Sequence, residues 1–515
     1  VLVHRSYVQA STTLAADLSR YGSDAQWRGV YYRGEKIGFT VNQTIASGDG
    51  FELQEDGRLQ MSLLGAHTFA RLRTSVRVDR AFALRSFDFS LDPGTGPVEV
   101  SGTLEGLTLH LSVTTSSGTY TERRQLSEPP MLSLSMARRL ANGGLVPGAT
   151  HEWTVFDPAT LRNAPVTLKV GRRETTLAGD GRVPAFRVDM SFGGLRTTSW
   201  ITDTGEVVRE ESPLGLITVR ESEANAQRLA VSSRIQADLL DTSAVVPQTA
   251  RRIDEPRDVR LLRLRLDGAD LSGPDVQGAG QTVSGNLVEI VDPQRLVAGP
   301  ADRDATRFLA PEPLIESDAP EIREEAERAI AGAQGARARA ERLTRHVNGL
   351  LEKKPTISLP SAREVLRTKV GDCNEHTALF VAMARSIGIP SRIAVGLAYV
   401  RGAFYYHAWP EVYLDEGRDR GLWLPVDPTF NQFPADATHV RLARGGLDRQ
   451  ASIVPMIGRL KMSIVDLELA PSSPTTLVGR QAGDVTPLSI PIPRRTPGGC
   501  WSSPRPEARP QPRTR

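Results

Sequence analysis

Between about residues 26 and 222, apolar and polar positions alternate with a period of two. Leu72, Thr74, Val76 and Val78 alternate with Arg71, Arg73, Ser75 and Arg77, and Leu107, Leu109, Leu111 and Val113 alternate with Thr108, His110, Ser112 and Thr114. Phe87, Phe89 and Leu91 do the same with Asp88 and Ser90. Successive side chains of a strand point to opposite faces, so the pattern predicts antiparallel strands with one face on a core and one in water. Arg33-Gly34-Glu35 and Asp203-Thr204-Gly205 fall between such runs and read as hairpin turns. Many short strands separated by turns predict a sandwich or a curved half-barrel, suited to support or ligand binding.

The pattern then changes. Residues 223–299 read as a linker with additional strands, at Leu262-Arg263-Leu264-Arg265-Leu266 and at 287–291. From 319 to about 351, Ile322, Ala326, Ala329, Ile330 and Ala333 recur at helical spacing, with Gly332 and Gly335 weakening the middle. Ser361-Ala362-Arg363-Glu364 has the pattern of a capping box and opens a further helix. The fold class predicted is α+β. Its parts are a helical stub at 1–25, an antiparallel β domain at 26–222, the linker, an α+β domain at 300–470, and a tail at 471–515. The tail has ten Pro and no apolar period, which predicts disorder.

Composition narrows the function. The chain has 515 residues with 39% hydrophobic and 24% charged, and no run approaches the roughly 20 apolar residues that span a bilayer. The net charge of +3 is misleading, because the tail alone has seven Arg against Asp484 and Glu507. The rest is slightly acidic. Six Lys against 57 Arg is a skew of usage, and the Arg are dispersed among acids with no aromatic clustering, so no nucleic-acid partner is expected. Two cysteines, Cys373 and Cys500, exclude a disulfide framework. Phosphate-loop and serine-elbow motifs are absent, and Gly278-Ala279-Gly280 lacks the third Gly of a dinucleotide loop.

One region carries chemistry. Gly371-Asp372 forms a turn and cap before Cys373, and the apolar run from Asn374 to Gly388-Ile389-Pro390 reads as a buried helix. Cys373 therefore sits in the first turn, where unsatisfied N–H groups and the helix dipole favour a thiolate. A strand follows at 393–399, then Tyr405-Tyr406-His407-Ala408-Trp409-Pro410-Glu411, with His407, Trp409, Glu411 and Tyr413 on one face. Pro410 predicts an edge or a bulge in that strand. A third strand, Leu422-Trp423-Leu424-Pro425-Val426-Asp427, ends on an acid before Pro428. His407 lies 34 residues after Cys373, and Asp427 lies 20 after His407. A thiol, a His to move its proton and an acid to orient the His suffice for acyl transfer. Glu375 and Glu411 read as solvated or supporting side chains, and Trp409 and Trp423 as core. His376 could join Cys373 in a Cys-x-x-His metal pair, but further ligands at zinc spacing are missing, so neither metal nor cofactor is expected.

These residues resemble the transglutaminase-like superfamily, which shares a papain-like cysteine-protease core. The resemblance is carried by Gly371-Asp372-Cys373, Gly388-Ile389-Pro390-Ser391-Arg392, Tyr406-His407-Ala408-Trp409-Pro410-Glu411-Val412 and Trp423-Leu424-Pro425-Val426-Asp427-Pro428-Thr429. It spans about 308–469 and continues through Phe430 to His439, in the manner of a bacterial branch. The resemblance implies Cys373 as nucleophile, His407 as general base and acid, and Asp427 as its orienter. The Cys373 backbone N–H is the expected oxyanion donor. The implied activity is acyl transfer on peptide, Gln-side-chain or isopeptide amides of a protein or peptide substrate. Hydrolysis is favoured over transamidation, since no acidic cluster suggests calcium regulation. The alternative is a non-catalytic scaffold that binds a peptide or lipid on the same fold. Residues 5–21 suit a helical stub beside a membrane, and bacterial members follow an anchor. The expectation is thus a periplasmic or extracytoplasmic protein tethered through a segment upstream of Val1.

Overall fold

The computed structural model describes residues 18–471, except residue 19, 229–243, 250–251, 355–360, 446–452, 454–459 and the loop positions 64–65, 93–96, 116–117, 160, 180, 193–194 and 213–214. Most of the expected helical stub, the tail and Cys500 lie outside the described residues. Among those described, no helix is long and apolar enough to cross a membrane.

The alternating region forms one antiparallel sheet of 14 strands between Gln26 and Glu221. Counted along the chain, the first strand lies between the second and the fourteenth, and the two meanders spread outward from it to the eighth and ninth strands. A helix, Ser133–Ala141, joins those two outermost strands and packs Met136 and Leu140 against Val155, Val166 and Leu168. Phe87 and Phe156, from distant strands, meet with ring centroids 5.3 Å apart. A flat sheet could not bring them together, so the sheet curls over its apolar face. Of the two expected forms, this is the half-barrel and not the sandwich, because every strand belongs to one ladder.

Among the described residues, the C-terminal part combines two antiparallel sheets with four α-helices of seven or more residues. The stretch read as a linker contributes Val259–Asp267, Gln281–Ser284 and Leu287–Val291, which join Lys461–Leu469 in a four-stranded sheet. Its Leu262, Leu264 and Leu266 bury against Val395, Leu397, Phe404 and Val440 of a five-stranded sheet. That second sheet runs in the order Gly299–Pro300, Arg420–Pro425, Ala403–Gly417, Ser391–Val400, His439–Arg444. The helical stretch at 319–351 divides into Pro320–Ala329 and Gly335–Leu350. Those helices and Ala362–Thr368 surround Cys373–Ser386, whose Leu379, Phe380, Val381 and Met383 are fully buried with Ile322, Leu343, Val365, Val412 and Val426. Each such side chain contributes roughly 1.5–3 kcal/mol, so the helix that starts at Cys373 is rigidly seated.

Pro410 lies in a central strand rather than at an edge, and the register shift of that strand falls further on, between Asp415 and Gly417. Pro410 is tolerated because its neighbour ends there: Pro425 pairs with Glu411, and Val426 N–H donates to the Pro410 carbonyl at 2.9 Å. Its missing donor falls where the ladder has already stopped.

Glu411 is neither solvated nor catalytic. It is fully buried and accepts from Arg392 Nε at 2.8 Å, from Arg444 Nε at 3.0 Å and from Arg441. Burial opposes its charge, but the three guanidiniums overcome that and hold its carboxyl down at about 2. Arg441 and Arg444 also bond the carbonyls of Asp275, Gly278 and Gln277, so this ion cluster ties the two sheets together. Glu411→Ala leaves the buried Arg441 and the half-buried Arg392 and Arg444 without their carboxylate, and a loss of about 3–5 kcal/mol in urea unfolding is expected. The lowered carboxyl stabilises the fold above its unfolded value of roughly 4.3, and that contribution fades as pH falls toward 2.

Candidate active site

The first turn around Cys373 is built by its cap. Asp372 accepts from the Asn374 N–H at 2.9 Å, and the Glu375 side chain accepts from the Asp372 N–H at 2.8 Å, completing a capping box. Gly371 is required for this closeness, since a Cβ there would lie 2.2 Å from Glu375 Cβ. The Cys373 N–H has no acceptor among the described residues.

The helix meets the His407 strand at its open edge. Beyond Pro410 the neighbouring strand is gone, and the Ala408 backbone is taken up by the helix instead. Thr377 Oγ1 donates to the Ala408 carbonyl at 3.1 Å. Cys373 is half-buried and packs against the apolar cluster that includes Ala408.

His407 Nε2 donates to Asp427 Oδ2 at 2.7 Å, and both residues are buried. The imidazole is clamped by Phe430, whose ring stacks on it at 4.6 Å and 4°, with Trp409 stacked at 6.1 Å. Asp427 Oδ1 accepts the N–H groups of Thr429 at 2.7 Å and Phe430 at 3.0 Å. The carboxylate that orients the His therefore also positions the ring that covers it.

A second histidine, not anticipated as a site residue, completes the group. His439 Nε2 donates to the same Asp427 Oδ2 at 3.0 Å, and its Nδ1 to Asp436 Oδ1 at 3.2 Å. Its nearness rests on Gly396, which pairs with both His407 and Arg441 and whose Cβ would lie 2.0 Å from the Val440 carbonyl oxygen. The only local signal was an Asp and a His three apart, Asp436 and His439, which is too common to single out.

The charges follow from these contacts. Burial opposes ionisation of Asp427, but its contacts with His407, then those with His439, hold it well below the usual carboxylate range. Burial likewise opposes a charged His439, yet its bonds to Asp427 and Asp436 raise it to about 10. Burial and the Asp372 charge push the Cys373 thiol up, with the Ala408 N–H acting in the other direction. Desolvation of the sulfur therefore works against the helix start.

Among the described residues, His407, Asp427 and His439 form a group whose ligating atoms all lie within 4.8 Å. Both imidazoles donate protons to one oxygen, and a doubly bonded imidazolium has no lone pair for a metal, so no metal ligand is assigned. His376 is not part of this group; its Nδ1 lies 2.7 Å from the Asp372 carbonyl and its Nε2 is buried without a hydrogen-bond partner.

Residues 323–428 match the transglutaminase-like superfamily, so the chain carries a transglutaminase-like domain that contains Cys373, His407 and Asp427 and stops short of His439. No curated protein matches. Among solved structures, the chain is similar to a β-barrel-like protein of unknown function from Brucella abortus, with 14% identity over 38% of this chain and 96% of that one and a TM-score of 0.30. It is also similar to a candidate cysteine protease from Cytophaga hutchinsonii, with 17% identity over 42% and 90% and a TM-score of 0.29. A candidate protease from Parabacteroides distasonis shows 12% identity over 66% and 68%, with a TM-score of 0.19. At such scores these likenesses say nothing about chemistry.

The raised His439 gives a stability signature with a definite sign. Its contribution is full below the unfolded imidazole value of roughly 6.5 and is lost as pH rises toward about 10. Urea midpoints of wild type and His439→Gln should differ most at pH 6 and converge by pH 10. A constant gap would contradict the assigned charge.

Proposed function

We propose that this chain is a cysteine-nucleophile acyl-transfer enzyme acting on the amide of a peptide, a Gln side chain or an isopeptide, with water favoured over an amine as final acceptor. The observation that carries the reading is the buried His407–Asp427 pair, 2.7 Å long, on the strand that the Cys373 helix bonds through Thr377 and the Ala408 carbonyl. Asp427 occupies Nε2 of His407, which leaves Nδ1 to exchange a proton with the thiol.

Cys373 Sγ bonds the carbonyl carbon as its proton passes to His407, and the carbonyl electron pair moves onto oxygen. The unoccupied Cys373 N–H, at a helix start, suits that oxyanion. When the oxyanion collapses, the C–N bond breaks and the amine leaves with the proton from His407, giving a thioester. Water then adds to the thioester, losing its proton to His407, and the carboxylic acid departs as the thiol is restored. Asp427 keeps the imidazole in the productive tautomer throughout. Burial pushes the thiol up, which suits a mechanism in which His407 takes its proton during attack.

An electrophilic peptide amide should label Cys373, with the adduct mapped by mass spectrometry and the acceptor varied between water and lysine. Cys373→Ala should lower turnover by at least about 10⁴-fold with the fold intact, and Asp427→Asn should cost less than His407→Ala. Unchanged turnover in Cys373→Ala, or a probe that never reacts, would leave the peptide- or lipid-binding scaffold as the better reading.

A further inference from the structure

We propose that His439 is a positioning cation for this site: bound to the same oxygen of Asp427 as His407, it neutralises that carboxylate and so keeps the proton of the Cys373–His407 pair on sulfur until substrate arrives. The inference rests on the acyl-transfer reading above and adds to it a residue outside the matched domain.

The geometry separates the two histidines. His407 has one carboxylate, Asp427, and otherwise the rings of Phe430 and Trp409. His439 has two, Asp427 and Asp436. Asp436 is itself fixed, accepting from Thr438 N–H at 3.0 Å, Thr438 Oγ1 at 2.6 Å and Gln432 Nε2 at 2.8 Å. Two cations on one buried carboxylate oxygen would repel each other, so the positive charge settles on the ring with the second carboxylate. His407 then faces a carboxylate already compensated, which weakens its pull on the thiol proton. The groups around Cys373 act in the same sense: Asp372 and Glu375 flank it on the helix, and Asp427 lies within electrostatic reach. His376, near Lys353, stands behind them. The upward push on the Cys373 thiol agrees with a resting site that is uncharged at sulfur.

The arrangement has a consequence opposite to that of a simple structural prop. Removing the cation exposes the full Asp427 charge to His407, favours imidazolium there, and so favours thiolate at Cys373. The test is the rate of Cys373 alkylation by iodoacetamide from pH 5 to 10, measured on the full chain by mass spectrometry of the Cys373 peptide. The double variant His439→Gln/Asp436→Asn removes the cation together with the carboxylate it would leave bare. Its thiolate should appear about one pH unit lower than in wild type, making alkylation near pH 7 about tenfold faster. Slower or equal alkylation at every pH would overturn the proposal. Adding His407→Gln should abolish the gain; if His407→Gln changes the profile in neither background, the acyl-transfer reading itself fails. Should the double variant not fold, histidine ¹⁵N spectra of the wild-type protein decide. An imidazolium that persists above pH 8 is expected, and its absence would sink the proposal.

Discussion

A carboxylate with no access to water must have every lone pair answered, and at Asp427 that requirement organises the region around it. Its two oxygens receive four donors: two backbone N–H groups from the turn that follows it and one imidazole from each of two strands. The turn is closed by paired backbone bonds between Asp427 and Gln432, at 2.9 and 2.7 Å. It is held from outside by Asn348, which donates to the Pro428 and Thr429 carbonyls, and by Arg345, which bonds Asn431. The helix Gly335–Leu350 thus supports the site without contributing to it. Phe430 is carried onto the His407 ring by the same turn. Position, orientation and cover of the imidazole all trace to one charge.

The complementary feature is a gap in a ladder. Where the strand Arg420–Pro425 ends, the backbone of Ala408 would be left unpaired inside the protein, which costs about as much as a lost hydrogen bond. The Cys373 helix fills that place, with Thr377 answering the carbonyl. The helix start that carries the sulfur is thereby set against the strand that carries His407. Glu411 and its three guanidiniums then fix the strand to Ser391–Val400 and His439–Arg444, the two strands on the other side from the gap.

Much of this was determined by the sequence alone, through features that act locally. Period-two alternation sets which strand faces are apolar, Ser361 and Asp372 cap their helices, and Gly332 and Gly335 break one helix in two. Cys373 at a helix start, His407 within a strand and Asp427 before Pro428 were legible because each is marked by its immediate neighbours. What the tertiary structure decided is whatever depends on which distant segments meet. Alternation cannot distinguish a sandwich from one curled sheet of 14 strands, since both bury the same residues. It could not assign Glu411, whose three arginines lie 19, 30 and 33 residues away. Nor could it find His439, brought onto Asp427 by a close approach at Gly396. The upward push on the Cys373 thiol was out of reach for the same reason. A helix start is visible in sequence, whereas the desolvation that works against it is a sum over everything packed around the sulfur, and only the folded chain fixes that sum.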